Sequence, residues 1–183
     1  MARRDELLQL VTDYVLEHGL IGLSLRPMAA ALNTSDRMLL YHFGSKDTLV
    51  AAVISESTRR SSDELRALRP EPTVHAGVLS LWRAHTAGLL DQYQRLYEQA
   101  SASGLLGDEP YRSSVRQSNR IWTTALEEYL TTCSATRTGA GRVVLLLDAA
   151  LMGFHLDYGI DEDSADLHRA VGDLADAIDR LAR

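Results

Sequence analysis

One short stretch of the sequence, Leu32 to Lys46, gathers side chains suited to binding a partner that carries phosphates and hydrogen-bonding groups. It reads LNTSDRMLLYHFGSK and ends on the only lysine among the 183 residues. Hydroxyl, imidazole and ammonium groups can donate hydrogen bonds to phosphates, and a guanidinium also matches the edge of a guanine. The chemistry that these residue types indicate is noncovalent recognition.

Two short helices joined by a tight turn are predicted to position this stretch. Asn33 tolerates the left-handed conformation better than any residue but glycine, so it can make the turn. The chain before the turn is predicted to be helical over residues 25–32. The chain after it is predicted to be helical as far as Phe43, behind a cap at Thr34 or Ser35.

Two longer helices brace this pair. The first is predicted over residues 3–18 and stops at Gly19, as is usual for a C-terminal glycine. A further helix is predicted over 46–66, and Ser24 and Ser45 are placed to cap the second and the fourth helix. Two short helices joined by a turn of about three residues, with a first helix behind them, form a helix-turn-helix.

The third helix is predicted to have one inward and one outward side. Leu39 and Phe43, four residues apart, would face the scaffold. The residues left on or near the outer surface are Ser35, Asp36, Arg37, Met38, Leu40, Tyr41 and His42. A helix-turn-helix places this helix in the major groove of DNA, where Arg37 is the best candidate for a base contact. The hydroxyl and imidazole groups beside it suit phosphates.

Lys46 lies in the first turn of the fourth helix, where the helix dipole favours an acid rather than a cation. Its position costs roughly a few tenths of a kcal/mol of local helix stability. The cost is understandable if a phosphate is shared by Lys46 and the free N–H groups behind Ser45. A solvated surface lysine is the alternative interpretation.

The segment LSLRPMAAALNTSDRMLLYHFGSKDTLVAAVI resembles the DNA-binding segment of the TetR family of transcriptional regulators. The matching pieces are the Ser-Leu-Arg that opens the second helix, the Ala and Leu before the turn, and the His-Phe, Ser-Lys and Leu after it. The resemblance implies a homodimer, a palindromic operator and a small-molecule pocket in the C-terminal part. The residues then predicted to contact DNA are Arg26, Thr34, Ser35, Arg37, Met38, Leu40, Tyr41, His42 and Lys46.

Two features depart from the family's usual pattern. The turn usually reads Gly-Val-Ser and here reads Asn33-Thr34-Ser35, and Leu40 stands where the family commonly has Tyr. The second change removes a hydroxyl often used on DNA, which Tyr41 next door can replace, whereas a leucine can meet a thymine methyl. These changes bear on operator preference rather than on DNA binding itself.

The remainder of the chain reads as five more helices, so the predicted fold class is all-α with about nine helices. Their predicted spans are 73–92, 94–104, 109–134, 140–158 and 164–182. Residues 1–70 carry nine basic and nine acidic side chains, whereas residues 71–183 carry ten and sixteen. We therefore predict a helix-turn-helix domain over 1–50, with the fourth helix (45–66) as connector, and a ligand-binding and dimerisation domain over 70–183.

The last two helices are predicted to form the dimer. The final helix carries apolar residues at spacings of four and three, the narrow seam used between bundle helices. Paired with their twofold copies, these helices make a four-helix bundle that sets the spacing of two DNA-binding heads. The predicted interface residues are Val144, Leu147, Leu151, Leu167, Val171, Leu174, Ile178 and Leu181. Packing of both helices within one subunit is the alternative.

Aromatic residues concentrate after residue 70, which predicts a pocket for a small effector. Eight of the eleven lie there. The residues predicted to line the pocket are Trp82, His85, Tyr97, Trp122 and Phe154. Few charged residues share these helix faces, so the effector is expected to be apolar or aromatic. The resemblance implies a repressor that the effector releases from DNA by a population shift, and promotion of DNA binding by the effector is the alternative. Core packing is the alternative for any one of the predicted pocket residues.

Other classes of protein fit less well. An all-α enzyme would need clustered acids or a nucleophile with its base, and the acidic run YGIDEDSAD reads as a loop and a helix N-cap. No cofactor is expected, and no metal, since the histidines lack close pairing and companion cysteines. One cysteine, no apolar N-terminal segment and no apolar run of the ~20 residues that span a bilayer favour the cytoplasm, away from membranes. A TetR-like dimeric ligand- or protein-binding module that has lost sequence-specific DNA binding is the alternative that remains.

Overall fold

The computed structural model describes residues 3–162 and 164–183. Within these two ranges all regular secondary structure is α-helical, and nine helices are present. Their bounds are α1 Arg3–His18, α2 Leu25–Ala31, α3 Asp36–Phe43, α4 Lys46–Ala67, α5 Val74–His85, α6 Gly88–Leu105, α7 Tyr111–Thr132, α8 Arg137–Tyr158 and α9 Ala165–Leu181. The predicted all-α fold class is confirmed.

The chain divides into two compact units, and neither is continuous in sequence. Unit 1 contains the residues up to Arg60 together with Gln92–Arg120, and unit 2 contains Ser61–Asp91 and Ile121–Arg183. Helices α4, α6 and α7 therefore each begin in one unit and end in the other. The boundary predicted near residue 70 separates a DNA-binding part from a ligand-binding and dimerisation part. It is a division by function and not by compactness, and it stays a prediction.

The turn between α2 and α3 has the conformation predicted from its asparagine. Asn33 has a φ of 51°, in the left-handed region, and the Thr34 amide donates to the Ala29 carbonyl at 2.9 Å. Ser35 then caps α3, because its Oγ accepts from the Met38 amide at 3.2 Å. The start and direction of α3 are thus fixed by hydrogen bonds within four residues of the turn.

The cap predicted for α4 is present, whereas the cap predicted for α2 is not. The Oγ of Ser45 accepts from the Thr48 amide at 3.1 Å. Ser24 occupies the N-cap position of α2 in an extended conformation, but its side chain makes no capping hydrogen bond. Residue type predicted the position of this helix start but not whether the capping hydrogen bond forms.

A charged network ties α4 to α1 within unit 1. Arg60 donates to Asp13 at 2.5 Å and to the Glu56 carboxylate at 2.8 Å. Arg59 also donates to Glu56, at 2.7 and 2.9 Å, and this bond is the main reason that the pKa of Glu56 falls to about 2 against the opposing effect of burial. An ionised Glu56 therefore holds two arginines in place, one of which reaches α1.

The C-terminal end of α9 meets the start of α8 in unit 2. The Thr136 amide donates to the Ala182 carbonyl at 3.1 Å. A Cβ on Gly139 would lie only 2.0 Å from that same carbonyl oxygen. The close approach of the two backbones therefore requires glycine at position 139.

The break predicted between helices 73–92 and 94–104 lies instead at residues 86–87, between α5 and α6. The first ends at His85, and the second begins at Gly88, whose φ is 69°. Glycine adopts this left-handed conformation readily, and an α-helix cannot continue through it. The apolar pattern resumes at once with Leu89 and Leu90, which is why the pattern by itself did not indicate the break.

By length and composition alone, α8 could cross a membrane. Arg142 and Asp148 interrupt its apolar residues, so α8 meets this test as a whole and not through one unbroken apolar run. The core helix of a soluble protein passes the same test, and Val143, Leu147 and Leu151 on one side of α8 are buried in the core of unit 2. What distinguishes α8 is that its opposite side is apolar as well.

Candidate nucleic-acid interface and effector site

Helix α3 buries one side and exposes the other. Leu39 and Phe43 are 0 % and 4 % exposed, whereas Tyr41 is 79 % exposed. Arg37 is also exposed, on the outward side. The inward and outward sides predicted for this helix are confirmed, and contact of the outward side with DNA stays a prediction.

The nine residues predicted to contact DNA all belong to unit 1. Arg26 lies in the first turn of α2, Thr34 and Ser35 lie in the turn before α3, and Lys46 begins α4. Thr34 and His42 are half-buried, and the other seven are exposed. The five that lie on α3 itself are Arg37, Met38, Leu40, Tyr41 and His42.

The scaffold side of α3 is held partly by α1. The Arg4 guanidinium lies 5.1 Å from the centroid of the Phe43 ring, within the range of a cation–π interaction. On the outward side, the rings of Tyr41 and His42 meet edge to face with their centroids 5.2 Å apart. The last turn of α3 is therefore braced from behind and presents two polar aromatic groups in front.

The start of α4 provides a cation beside a capped helix end. Ser45 satisfies the Thr48 amide, and Lys46, the first residue of the helix, is exposed. The adjoining Asp47 adds the acid that the helix dipole favours. The role of Lys46 in binding a phosphate stays a prediction.

Four of the five residues predicted to bind an effector lie in unit 2. The rings of Trp82 and Phe154 meet edge to face at 6.3 Å, and those of His85 and Trp122 meet in the same way at 5.5 Å. Tyr158 adds a third edge-to-face contact, 5.8 Å from Trp82. These rings form an aromatic cluster on α5, α7 and α8.

The fifth residue, Tyr97, belongs to unit 1. Its hydroxyl donates to Asn119 at 2.7 Å, a partner on α7 within the same unit. Tyr97 is therefore satisfied without a ligand. Tyr97 is not part of the aromatic cluster, which consists of five rings of unit 2. These are Trp82, His85, Trp122, Phe154 and Tyr158.

Asp148 places a carboxylate against the aromatic cluster, which the sequence pattern did not reveal. Trp122 donates its indole N–H to Asp148 at 2.8 Å. Burial raises the pKa of Asp148, and the bond from Trp122 offsets part of that rise. The position of Asp148, four residues after Val144 and three before Leu151 on an apolar helix side, was the available signal. Among the described residues, no three His, Cys, Asp or Glu side chains are grouped so as to hold a metal ion.

The residues predicted at the dimer interface belong instead to the core of unit 2. Six of the eight are at most 7 % exposed in the single chain, and only Leu174 and Leu181 keep partial exposure. A side chain with almost no accessible area cannot gain contacts with a partner, so this assignment was wrong for those six. They are Val144, Leu147, Leu151, Leu167, Val171 and Ile178.

The opposite side of α8 is apolar and uncovered. Leu145, Leu146 and Leu156 are 69 %, 51 % and 50 % exposed. Ala149 and Gly153 lie between them at helical spacing and are exposed as well. We call these five residues the outer face of α8. A contiguous apolar face of this kind marks an interaction surface.

Comparison with known proteins identifies the fold. No protein-family model and no curated protein matches the sequence. A TetR transcriptional regulator from Legionella pneumophila matches with a TM-score of 0.70 and 15 % identity over 97 % of each chain. A Rhodococcus protein described as a candidate TetR-family regulator matches with a TM-score of 0.69 and 16 % identity over 100 % of each chain. The multidrug binding protein EbrR, solved with imidazole, matches with a TM-score of 0.65 and 22 % identity over 100 % of this chain and 96 % of its own.

Proposed function

We propose that this chain, which has the fold of TetR-family transcriptional regulators, is a ligand-responsive regulator of transcription in the cytoplasm. It binds a palindromic operator as a homodimer and acts as a repressor that a small effector releases. The observation that supports this most directly is the surface of α3, where Leu39 is buried while Arg37 and Tyr41 point outward. A short helix held in this way can enter the major groove.

The DNA contacts divide into base-reading and phosphate-binding groups. Arg37 reads a guanine through its guanidinium, and Leu40 meets a thymine methyl. Tyr41, His42 and Lys46 bind phosphates, which position the helix without reading sequence. Residues 1–70 have no net charge, so one head on its own would bind DNA weakly.

A homodimer overcomes this weakness because it carries two DNA-binding regions. The outer face of α8 forms its interface. Its exposed leucines have no cover in the single chain. Ala149 and Gly153 between them allow the close approach of a second helix, because neither has a long side chain. In a twofold dimer the same face serves both copies. Leu174 and Leu181 of α9, which are only partly buried, extend the interface.

The aromatic cluster of unit 2 binds the effector. Its ring edges and faces suit an aromatic or apolar body, and four of its five residues were predicted for that role. Asp148 favours an effector that also carries a hydrogen-bond donor or a positive charge. The likeness to EbrR, a multidrug binding protein by name, supports a small-molecule effector.

Helix α4 connects effector binding with DNA binding, because it begins in unit 1 and ends in unit 2. In unit 2 its last turns are tied to α7 by the bond from Arg66 to Glu128, at 3.1 Å. An effector that binds better when α4 is displaced lowers operator affinity by the ratio of its two affinities. The effect is a population shift that needs no contact between effector and DNA.

Selection from a pool of random DNA duplexes tests the proposal. The wild-type chain is expected to enrich a palindrome whose half-sites lie about one helical turn, ~34–36 Å, apart. The pool is incubated at low salt, where weak binding is retained. Failure to enrich any palindrome would instead support a dimeric ligand- or protein-binding module that has lost sequence-specific recognition.

A further inference from the structure

A groove of about 300 Å³ runs beside α3 in unit 1. One wall is the beginning of α1, with Arg3, Glu6 and Leu10. The other wall is the turn before α3 and the helix itself, including Thr34 and His42. Three lining residues, those two and Met38, also belong to the set predicted to contact DNA. The groove is therefore continuous with the proposed DNA-binding surface.

Several of the side chains that line the groove are polar. Within the described residues, the side chains of Arg3, Glu6, Asn33 and Thr34 have no hydrogen-bond or ion-pair partner in the chain. Leu10, on the α1 wall, is 50 % exposed. A ligand in the groove would thus gain hydrogen bonds without breaking internal ones and would cover apolar surface that is now wet.

The donors and the shape fit one strand of a DNA backbone. A guanidinium, an amide and a hydroxyl are among the groups that bind phosphate oxygens, and Arg3, Asn33 and Thr34 supply one of each. The apolar side chains of Leu10 and Met38 beside them can pack on deoxyribose. A helix in the major groove lies between the two backbones of the DNA, so the protein groove beside α3 would meet one of these backbones.

Glu6 is the one acid in the lining, and it opposes a phosphate. Its place in the first turn of α1 stabilises the helix dipole, which gives it a role without DNA. A backbone phosphate in the groove would lie near this carboxylate and be repelled by it. The groove therefore contains one side chain that should strengthen DNA binding and one that should weaken it.

We propose that this groove seats the sugar–phosphate backbone next to each half-site, with Arg3 as a phosphate contact and Glu6 as a built-in limit on affinity. The inference rests on the proposed function, because it needs α3 in the major groove. It extends the DNA-binding surface to the start of α1, beyond the helix-turn-helix residues themselves.

Two substitutions of opposite expected sign test the inference on the full-length protein. The probe is the palindromic duplex that the wild-type chain enriches from the random pool, together with one scrambled duplex at low salt. Arg3→Ala is expected to weaken binding to both duplexes about fivefold and to reduce the salt dependence by about one phosphate contact. Glu6→Gln is expected to tighten binding to both by about threefold.

Glu17→Gln, at the far end of α1, is the matched control and should leave both affinities unchanged. Lys46→Ala separates this inference from the proposed function. If Lys46→Ala weakens binding while Arg3→Ala and Glu6→Gln do not change it, the groove does not seat DNA and the regulator proposal stands. If Glu6→Gln weakens binding, the inference is also overturned. Thermal melting of each variant, expected to match the wild type closely, excludes unfolding as the cause.

Discussion

The indole N–H of Trp122 donates a 2.8 Å hydrogen bond to the carboxylate of Asp148, a half-buried acid on α8. Burial raises the pKa of Asp148 above its ordinary value, so the folded chain favours the protonated form. The stability that this preference provides is present at low pH and is lost as the pH rises through the folded pKa. At neutral pH the ionised carboxylate is therefore a cost to folding.

Asp148→Asn is accordingly expected to raise the free energy of unfolding at neutral pH. The amide oxygen can still accept the bond from Trp122, while the buried charge is removed. The gain should shrink as the pH falls below the ordinary aspartate pKa of about 3.9, because the raised pKa keeps the wild-type carboxyl protonated there. Urea denaturation followed by circular dichroism measures the free energy of unfolding at neutral and at low pH. The control is Asp157→Asn, which changes an exposed acid on the same helix. A gain of the same size at both pH values would contradict this explanation.

The same substitution tests the effector class. An aromatic cation such as ethidium should quench the fluorescence of Trp122 in the wild type, because its ring and its charge match the cluster and the carboxylate. In Asp148→Asn its affinity is expected to fall about tenfold, a loss of about 1.4 kcal/mol. An uncharged aromatic of similar size should bind both proteins equally. Equal affinity of both proteins for the cation would remove Asp148 from the effector site.

Leu145→Arg tests the outer face of α8 as the dimer interface. A buried arginine facing its own twofold copy leaves two unpaired charges, so the variant is expected to be monomeric and to bind operator DNA weakly. Sedimentation equilibrium gives the mass directly. Leu105→Arg replaces a leucine that is 88 % exposed on α6, and it should leave the dimer intact. A dimeric Leu145→Arg protein would place the interface elsewhere.

Gly139→Ala tests the close approach of α8 and α9. The added Cβ would lie 2.0 Å from the carbonyl oxygen of Ala182, a backbone atom that can move only with its chain. The expected loss of unfolding free energy is about 1–3 kcal/mol. Gly172→Ala is the control, because a Cβ there meets no atom within 4 Å, and it should be neutral or stabilising. Urea midpoints that are equal for the two variants would contradict the packing explanation.

Local features of the sequence predicted the elements around α3 well. The glycine at position 19, the left-handed Asn33 and the serine caps at Ser35 and Ser45 each act within a few residues of themselves. Helix starts and stops of this kind depend on backbone conformation and on the nearest donors. The inward Leu39 and Phe43 followed from helical spacing alone.

Features that depend on distant partners were not predictable in the same way. Helix α8 is apolar on nearly all sides, so its composition cannot say which side meets the subunit core and which meets solvent or a partner. On α8, the interface residues assigned wrongly are Val144, Leu147 and Leu151, which lie on the core side, and the exposed leucines lie opposite. The contact of Asp148 was not predictable for a related reason, because its bond partner Trp122 lies 26 residues away on another helix.

The most direct test of the central claim compares Arg37→Ala and Lys46→Ala on the duplex that the wild-type chain enriches, with every base pair of one half-site varied in turn. Arg37→Ala should lose about 1–3 kcal/mol of discrimination at one base pair and little at the others. Lys46→Ala should weaken all duplexes alike and lower the salt dependence by about one contact. If instead Arg37→Ala keeps the full sequence preference of the wild type, the exposed side of α3 does not read DNA and the account is wrong.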